Sequence, residues 1–310
     1  MHNNTVITIG DSQYFHGILL LAASMRQHGM DEPVIAGIRG FTARQREILS
    51  RIPGMTLFPL DHTAHSLTCI KPIVCLQADT DYITWVDSDG FFTGNCSALL
   101  TPPDARHIHI RQRSPQENPT AFRHCTYGED GSAIPAAICD AWRRDTGGSG
   151  EARLRQSCSA CFFSLHRSAR PFLQRWYEQM MLILPASNVG VVDRRLKYYH
   201  QLDESVLNSL LCFAPEAPAV TSGYRLDKDP ASLFVHFVGT PKPWHGWTPR
   251  TIRFFAQYTA AMEYAVAENW LRRDEVPAAL DARHYQRCRL LAPFVSLKSR
   301  LCNRCKRLFA

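Results

Sequence analysis

Apolar positions from Met1 to Gly90 fall into short bursts that alternate between a period of two and a period near 3.6. Val6-Ile7-Thr8-Ile9 is a β-branched run that stops at Gly10-Asp11. Tyr14 to His28 then carries Phe15, Ile18, Leu19, Ala22 and Met25 at helical spacing. Val34 to Ile38 reads as a second strand, Thr42 to Arg51 as a second helix and Thr56 to Leu60 as a third strand. A Pro-bounded helix is expected from Lys71 to Ala78, followed by the strand Tyr82-Ile83-Thr84-Trp85-Val86, which breaks at Asp87-Ser88-Asp89-Gly90. Strands and helices alternating in this way build a mostly parallel sheet in an α/β fold.

Beyond this region the pattern is looser. Ser114 to Pro119 and Gly147-Gly148-Ser149-Gly150 are polar or flexible enough to be surface loops or lids. Ser159 to Leu165 reads as a strand, and Pro171 to Leu184 as an amphipathic helix with Phe172, Trp176, Met180 and Leu184 on its core face. His107-Ile108-His109 alternates between Arg106 and Arg111, as an exposed basic strand face would. Leu233 to Val238 forms a last strand before Gly239 and the rigid Pro241-Lys242-Pro243-Trp244. No internal repeat is visible. The organisation expected is a body over 1–282 and a tail over 283–310.

Composition adds constraints. With 45% apolar and 20% charged residues in 310 positions, the chain is an ordinary globular one, neither disordered nor collagen-like. Gly17 to Ala23 is far too short to span a bilayer, and Met1 to Asp11 carries no basic n-region, so a cytoplasmic protein is expected. Eleven cysteines spread through strands and helices suit free thiols in a reducing compartment. Cys158-Ser-Ala-Cys161 and Cys302-Asn-Arg-Cys305 have zinc half-site spacing, but no His pair accompanies either.

The net charge of +7 is unevenly placed: the stretch 283–310 holds eight Lys or Arg and no acid, leaving 27 basic against 28 acidic residues elsewhere. A basic tail on a neutral body argues for a local anchor and against a nucleic-acid-coating protein. Pro293 could start an amphipathic helix with Phe294, Leu297, Leu301, Cys305 and Leu308 on one face and basic residues around it. Such a helix suits an anionic membrane surface, which would make the protein peripheral on the inner face of the membrane.

Asp87 and Asp89 sit where a buried strand breaks into a turn, so both carboxylates can converge on one hard divalent cation that also holds a diphosphate. Oxygen ligands with an added His suit Mn²⁺ or Mg²⁺. His236 ends an apolar strand, Gly239 lets backbone approach a ligand, and Lys242 offers a positive charge to phosphate. Metal plus cation is what the departing diphosphate of a nucleotide-sugar requires.

With these segments in place, the chain resembles glycosyltransferase family 8, retaining enzymes with the GT-A fold. Ile9-Gly10-Asp11-Ser12-Gln13-Tyr14 is similar to its first-strand motif, Trp85-Val86-Asp87-Ser88-Asp89 to its metal motif, and Asp203-Glu204-Ser205-Val206-Leu207-Asn208 to its Asp-Gln-X-X-Leu-Asn. His236 to Trp244 is similar to its His-X-X-Gly-X-X-Lys-Pro-Trp. The resemblance implies that Asp87, Asp89 and His236 bind Mn²⁺ (or Mg²⁺), with Asp87 also near the donor's sugar or ribose, and that Ile9, Asp11 and Tyr14 line the base pocket. It further implies that Ser88 presents backbone to the ribose, Gly239 and Lys242 hold the diphosphate, and Lys71, at the head of its helix, reaches the donor. Asp203 and Glu204 become the catalytic candidates. Glu204 replaces the family's Gln, as a nucleophile, a stabiliser of an oxocarbenium-like centre or a ligand to a sugar hydroxyl. Ser157 to Cys161 departs from the family's Asn-Ala-Gly.

The expectation is therefore a metal-dependent hexosyltransferase of GT-A-like fold, taking a UDP-sugar to a glycan or glycolipid acceptor in cell-surface polysaccharide or lipopolysaccharide synthesis. The alternative is a membrane-surface or nucleic-acid binding module with a degenerate donor site. A nucleotidyltransferase would want a Gly-rich basic loop after the first strand, and Asp11-Ser12-Gln13-Tyr14 lacks one.

Overall fold

A computed structural model describes residues 3–61, 66–122, 129–183, 197–222, 233–237, 239 and 241–308. Its strands are β1 (Asn4–Asp11), β2 (Val34–Arg39), β3 (Met55–Pro59), β4 (Tyr82–Val86), β5 (Gly90–Phe92), β6 (His107–Gln112), β7 (Cys158–His166), β8 (Ala219–Thr221) and β9 (Phe234–His236). Its helices are α1 (Phe15–Gln27), α2 (Ala43–Ser50), α3 (Leu67–Cys75), α4 (Asn118–Phe122), α5 (Ala136–Thr146), α6 (Arg170–Ile183), α7 (Asp203–Phe213), α8 (Phe255–Ala267) and α9 (Tyr285–Leu308).

Seven strands form one sheet in the order β3-β2-β1-β4-β7-β6-β8, and only β7 runs against the rest. The expected mostly parallel sheet is thus what forms. Adjacent residues feed opposite cores, as a pleat requires. Ile7, Trp85 and Phe163 pack with residues of α3, α6 and α7, while Val6, Val86 and Phe162 pack with α1. Because both faces are covered, the central strands read as nearly continuous apolar runs. The chain builds outward from β1 to β3 and then returns to place β4 on the other side of β1, so a crevice opens between the carboxyl ends of β1 and β4.

Several expectations are revised. The last strand is only Phe234–His236, and it pairs antiparallel with β5 in a separate two-stranded sheet. Val238 lies outside the described residues. His109 is 9% exposed, because β6 is flanked by β7 and β8, so this is no exposed basic face. The polar stretch 114–119 runs into α4, whose Asn118 is fully buried. Leu184 lies outside the described residues; Phe172, Trp176 and Met180 are in the core as expected. Cys158 and Cys161 belong to different cores and face opposite sides of β7, which suits neither for one half-site.

The tail helix starts at Tyr285 rather than Pro293, and Pro293 lies inside it. It docks through Cys288 and Ala292, with Val295 against Gly246. Its large apolar residues, Leu290, Phe294, Leu297 and Leu301, are left 52–72% exposed. No helix among the described residues is long and apolar enough to cross a membrane.

Candidate active site

The predicted site residues gather at the carboxyl edge of the sheet. Asp11 ends β1, Asp87 follows β4, and the antiparallel β7 begins at this edge with Cys158. The first turn of α7 presents Asp203 and Glu204, and a helix N-terminus favours carboxylates there. Leu202 just before them is fully buried with φ 49° and ψ −116°. A side-chain-bearing residue adopts such a backbone at a cost of about 1–3 kcal/mol, and here it sets the direction in which α7 starts.

Asp87, Asp89 and His236 each offer a ligand atom within 4.8 Å of the others. His236 Nε2 lies 3.0 Å from Asp89 Oδ1 and 3.7 Å from Asp87 Oδ2. β5 and β9 make this possible, since Gly90 pairs with His236 across their ladder and Phe237 N–H donates to Asp89 O at 3.2 Å. Burial pushes the His236 imidazolium down, but Cys161 and Asp89 beside it outweigh burial and hold its pKa well above the ordinary value. Two hard carboxylates and one imidazole on a common focus fit a divalent cation of the Mg²⁺ or Mn²⁺ type.

Lys242 is 7% exposed and forms an ion pair with Asp89, while donating to Phe237 O at 2.8 Å. Burial pushes the Asp89 carboxyl up, yet His236 and Lys242 hold it well below the usual carboxylate range. Tyr14 faces the same group: its ring meets Trp244 edge-on at 5.8 Å, and Lys242 Nζ lies 5.7 Å from its centroid. Burial, then Asp89, Asp11 and Asp87, raise its phenol to about 12. Asp11 accepts from Gln13 N–H at 3.0 Å, and Ile9 is 7% exposed in the core beneath. Ser88 is 6% exposed and Gly239 is exposed with φ +93°.

Lys71 is not at the head of its helix. It occupies the middle of α3, one residue before Pro72, and is 5% exposed. Its ammonium bridges Asp87 Oδ1 at 2.9 Å and Asp203 Oδ2 at 2.8 Å and lies 5.1 Å from the Trp85 centroid. Trp85 Nε1 donates to Asp87 Oδ1 at 2.9 Å as well. Asp203 is buried deeply enough that its pKa rises to about 6 although Lys71 opposes the shift.

Glu204 is held separately, by Arg113 at 2.7 Å and by the Ala160 N–H at 3.0 Å. Asn208, one turn on, clamps the start of β7 by accepting from Cys158 N–H at 2.6 Å and donating to Cys158 O at 2.9 Å.

Sequence reasoning missed Arg113 and Gly17, and named Cys161 for zinc spacing and for a departure from the family pattern rather than for its place beside His236. Arg113 immediately follows β6, the same position relative to its strand that Asp87 has after β4, and that parallel was the available signal. Gly17 lies on α1 where a Cβ would stand 2.2 Å from Ser88 O, so only glycine lets α1 approach the Asp-Ser-Asp turn.

No protein-family model matches this chain, and neither does any curated protein. Solved structures do match. The apo structure of the bifunctional glycosyltransferase WbbM is 14% identical with a TM-score of 0.50, over 84% of this chain and 50% of that one. The galactosyltransferase LgtC, solved with donor and acceptor sugar analogues, is 12% identical with a TM-score of 0.50, over 87% of this chain and 98% of that one. The chain therefore spans half of the first neighbour and nearly all of the second. At these identities the similarity establishes the fold, which is that of GT-A glycosyltransferases, as the resemblance implied.

Proposed function

We propose that the protein is a metal-dependent glycosyltransferase that moves a hexose from a UDP-sugar to a hydroxyl of a glycan or glycolipid, with retention of anomeric configuration. The observation that carries this reading is the convergence of Asp87, Asp89 and His236 at the carboxyl edge of a sheet with the GT-A fold. When bound, Mn²⁺ or Mg²⁺ would neutralise charge on the leaving diphosphate. Tyr14, Asp11 and Ile9 form the wall for the base, with Trp244 fixing the Tyr14 ring. Ser88 would offer its backbone to the ribose, and Lys242 and Gly239 would hold the diphosphate. Lys71 holds Asp87 and Asp203 at fixed separation, so that Asp203 and Glu204 meet the sugar from the head of α7. An acceptor hydroxyl then attacks the anomeric carbon on the face that the diphosphate leaves: the bond from that carbon to the phosphate oxygen breaks, and the hydroxyl proton passes to the departing phosphate oxygen, which keeps the configuration.

The body over 1–282 is the catalytic unit in this reading, and 283–310 places it at a membrane. The outward apolar stripe of α9, with exposed Arg287, Arg289 and Lys298 beside it, supports an anionic lipid surface as the partner. That arrangement would hold the enzyme on the cytoplasmic face, near lipid-linked acceptors for surface polysaccharide.

A thermal-shift and hydrolysis panel of UDP-glucose, UDP-galactose, UDP-GlcNAc and GDP-mannose, each with Mn²⁺ and with EDTA, tests the proposal. Metal-dependent stabilisation by a UDP-sugar with slow release of UDP is expected. No stabilisation by any nucleotide sugar would overturn it and leave the tail's partner as the function.

A further inference from the structure

The two neighbouring carboxylates at the head of α7 are served by different cations. Asp203 goes to Lys71 and, through it, to Asp87, whereas Glu204 takes no part in that chain. We infer that Arg113 is a positioning residue that locks Glu204 as a fixed anion against the donor hexose and so sets which sugar the enzyme accepts. This deepens the glycosyltransferase reading and rests on it.

The geometry is specific. Arg113 Nη2 donates to Glu204 Oε1 at 2.7 Å, and Ala160 N–H donates to Oε2 at 3.0 Å. Each carboxylate oxygen therefore has one donor and one lone pair left for a sugar hydroxyl. Arg113 is itself fixed: its Nη1 donates to Ser157 Oγ at 2.9 Å and Cys158 O at 3.0 Å. Ser157 is fixed in turn by buried Asn118, whose Oδ1 accepts from Ser157 N–H at 2.9 Å. Burial works against the Arg113 charge, but Glu204 more than restores it and raises its pKa. Both side chains retain about 15% exposure, 14% for Arg113 and 15% for Glu204, so the pair is enclosed by protein without being sealed from a ligand.

A carboxylate free to rotate would accept from hydroxyls in several orientations. One pinned at both oxygens accepts only along fixed directions, which is how a site separates epimers differing in one hydroxyl. Lys cannot reproduce the fork that reaches Glu204, Ser157 and Cys158 together.

The test compares wild type with Arg113→Gln, Arg113→Lys, Glu204→Gln and the Arg113→Gln/Glu204→Gln double variant. Affinities for UDP and for UDP-glucose and UDP-galactose, all with Mn²⁺, are measured by calorimetry. Expected is an unchanged UDP affinity in every variant. The preferred UDP-sugar should lose about tenfold to a hundredfold in Arg113→Gln, and the glucose-to-galactose preference should collapse. Arg113→Lys should recover only part, and the double variant should bind no worse than Glu204→Gln alone. Equal losses for UDP and UDP-sugar, additive losses in the double variant, or an intact preference in Arg113→Gln would overturn the inference while leaving the transferase reading standing. Failure of the wild type to bind UDP or any UDP-sugar would overturn both.

Discussion

At the carboxyl edge of the sheet Lys71, Asp89, Asp203 and Lys242 are all less than a tenth exposed, whereas along α9 Leu290 and Phe294 are 72% and 68% exposed. The two regions depart from the usual partition of side chains in opposite senses. Charges buried at the edge find their partners within the chain, in the pairs Lys71 with Asp87 and Asp203, and Lys242 and His236 with Asp89. The apolar stripe of α9 finds no such cover among the described residues, because the helix docks through its smaller residues Cys288, Ala292 and Val295. Buried, perturbed charges gathered at one edge of a sheet single out that edge as a candidate ligand site. Exposed apolar surface beside basic residues singles out α9 as a candidate contact surface.

The contrast is broken most severely by Asp89→Asn. Loss of that charge removes a candidate metal ligand, takes the carboxylate from Lys242 and leaves His236 only its longer contact with Asp87, and UDP release with Mn²⁺ should fall at least about a thousandfold. Near-native turnover would remove Asp89 from the site. Lys71→Met comes next: it leaves buried Asp203 and half-buried Asp87 without their shared cation, and urea unfolding should show a loss of about 3–5 kcal/mol. A loss under about 1 kcal/mol would mean that water already reaches the pair.

Asp203 supplies a third, pH-dependent effect. Its folded pKa of about 6 exceeds its ordinary value of 3.8, so the folded state binds the proton more tightly than the unfolded one. The stabilisation from the protonated form is full below about 3.8 and is lost as pH rises through about 6, amounting to about 3 kcal/mol. Subtracting the stability profile of Asp203→Asn from that of wild type isolates it in metal-free protein; a flat difference between pH 4 and 6 would contradict the burial argument. The smallest effect on the fold is expected on α9. Phe294→Asp with Leu297→Asp should change stability by no more than about 0.5 kcal/mol while weakening sedimentation with anionic vesicles. If those substitutions destabilise the body instead, the stripe is part of the core and the contrast disappears.

Much of the candidate site was legible in linear order. β1, α1, β2, α2 and β4 follow directly from apolar spacing and from turn residues such as Gly10-Asp11, because parallel strands covered on both faces leave little choice of residue. Asp87, Asp89 and His236 could be named in advance, since an acidic turn after a strand and a His before a Gly-rich segment carry recognisable types at fixed places. Lys71 was named with the wrong setting. Pro72 suggested a helix start, but Pro is tolerated inside α3, where Leu67 to Ile70 supply the preceding turn. Arg113 offered only its place after β6, parallel to that of Asp87 after β4, and Gly17 offered nothing: no local feature distinguishes a Gly in a helix until another segment stands against it.

Local order thus specified the elements up to β4 and which residue types could do chemistry, because hydrophobic period and turn propensity act over a few residues. Which charges meet was settled by the folded sheet. Only the return of β4 to the side of β1, the reversal of β7 and the short pairing of β9 with β5 bring Lys71, Asp87, Asp203 and His236 together from positions far apart in the chain. The exposure of α9 was decided in the same way. Its amphipathic pattern is written in 285–308, but which of its faces meets the body depends on the shape of the surface that α8 and the segment around Gly246 present to it.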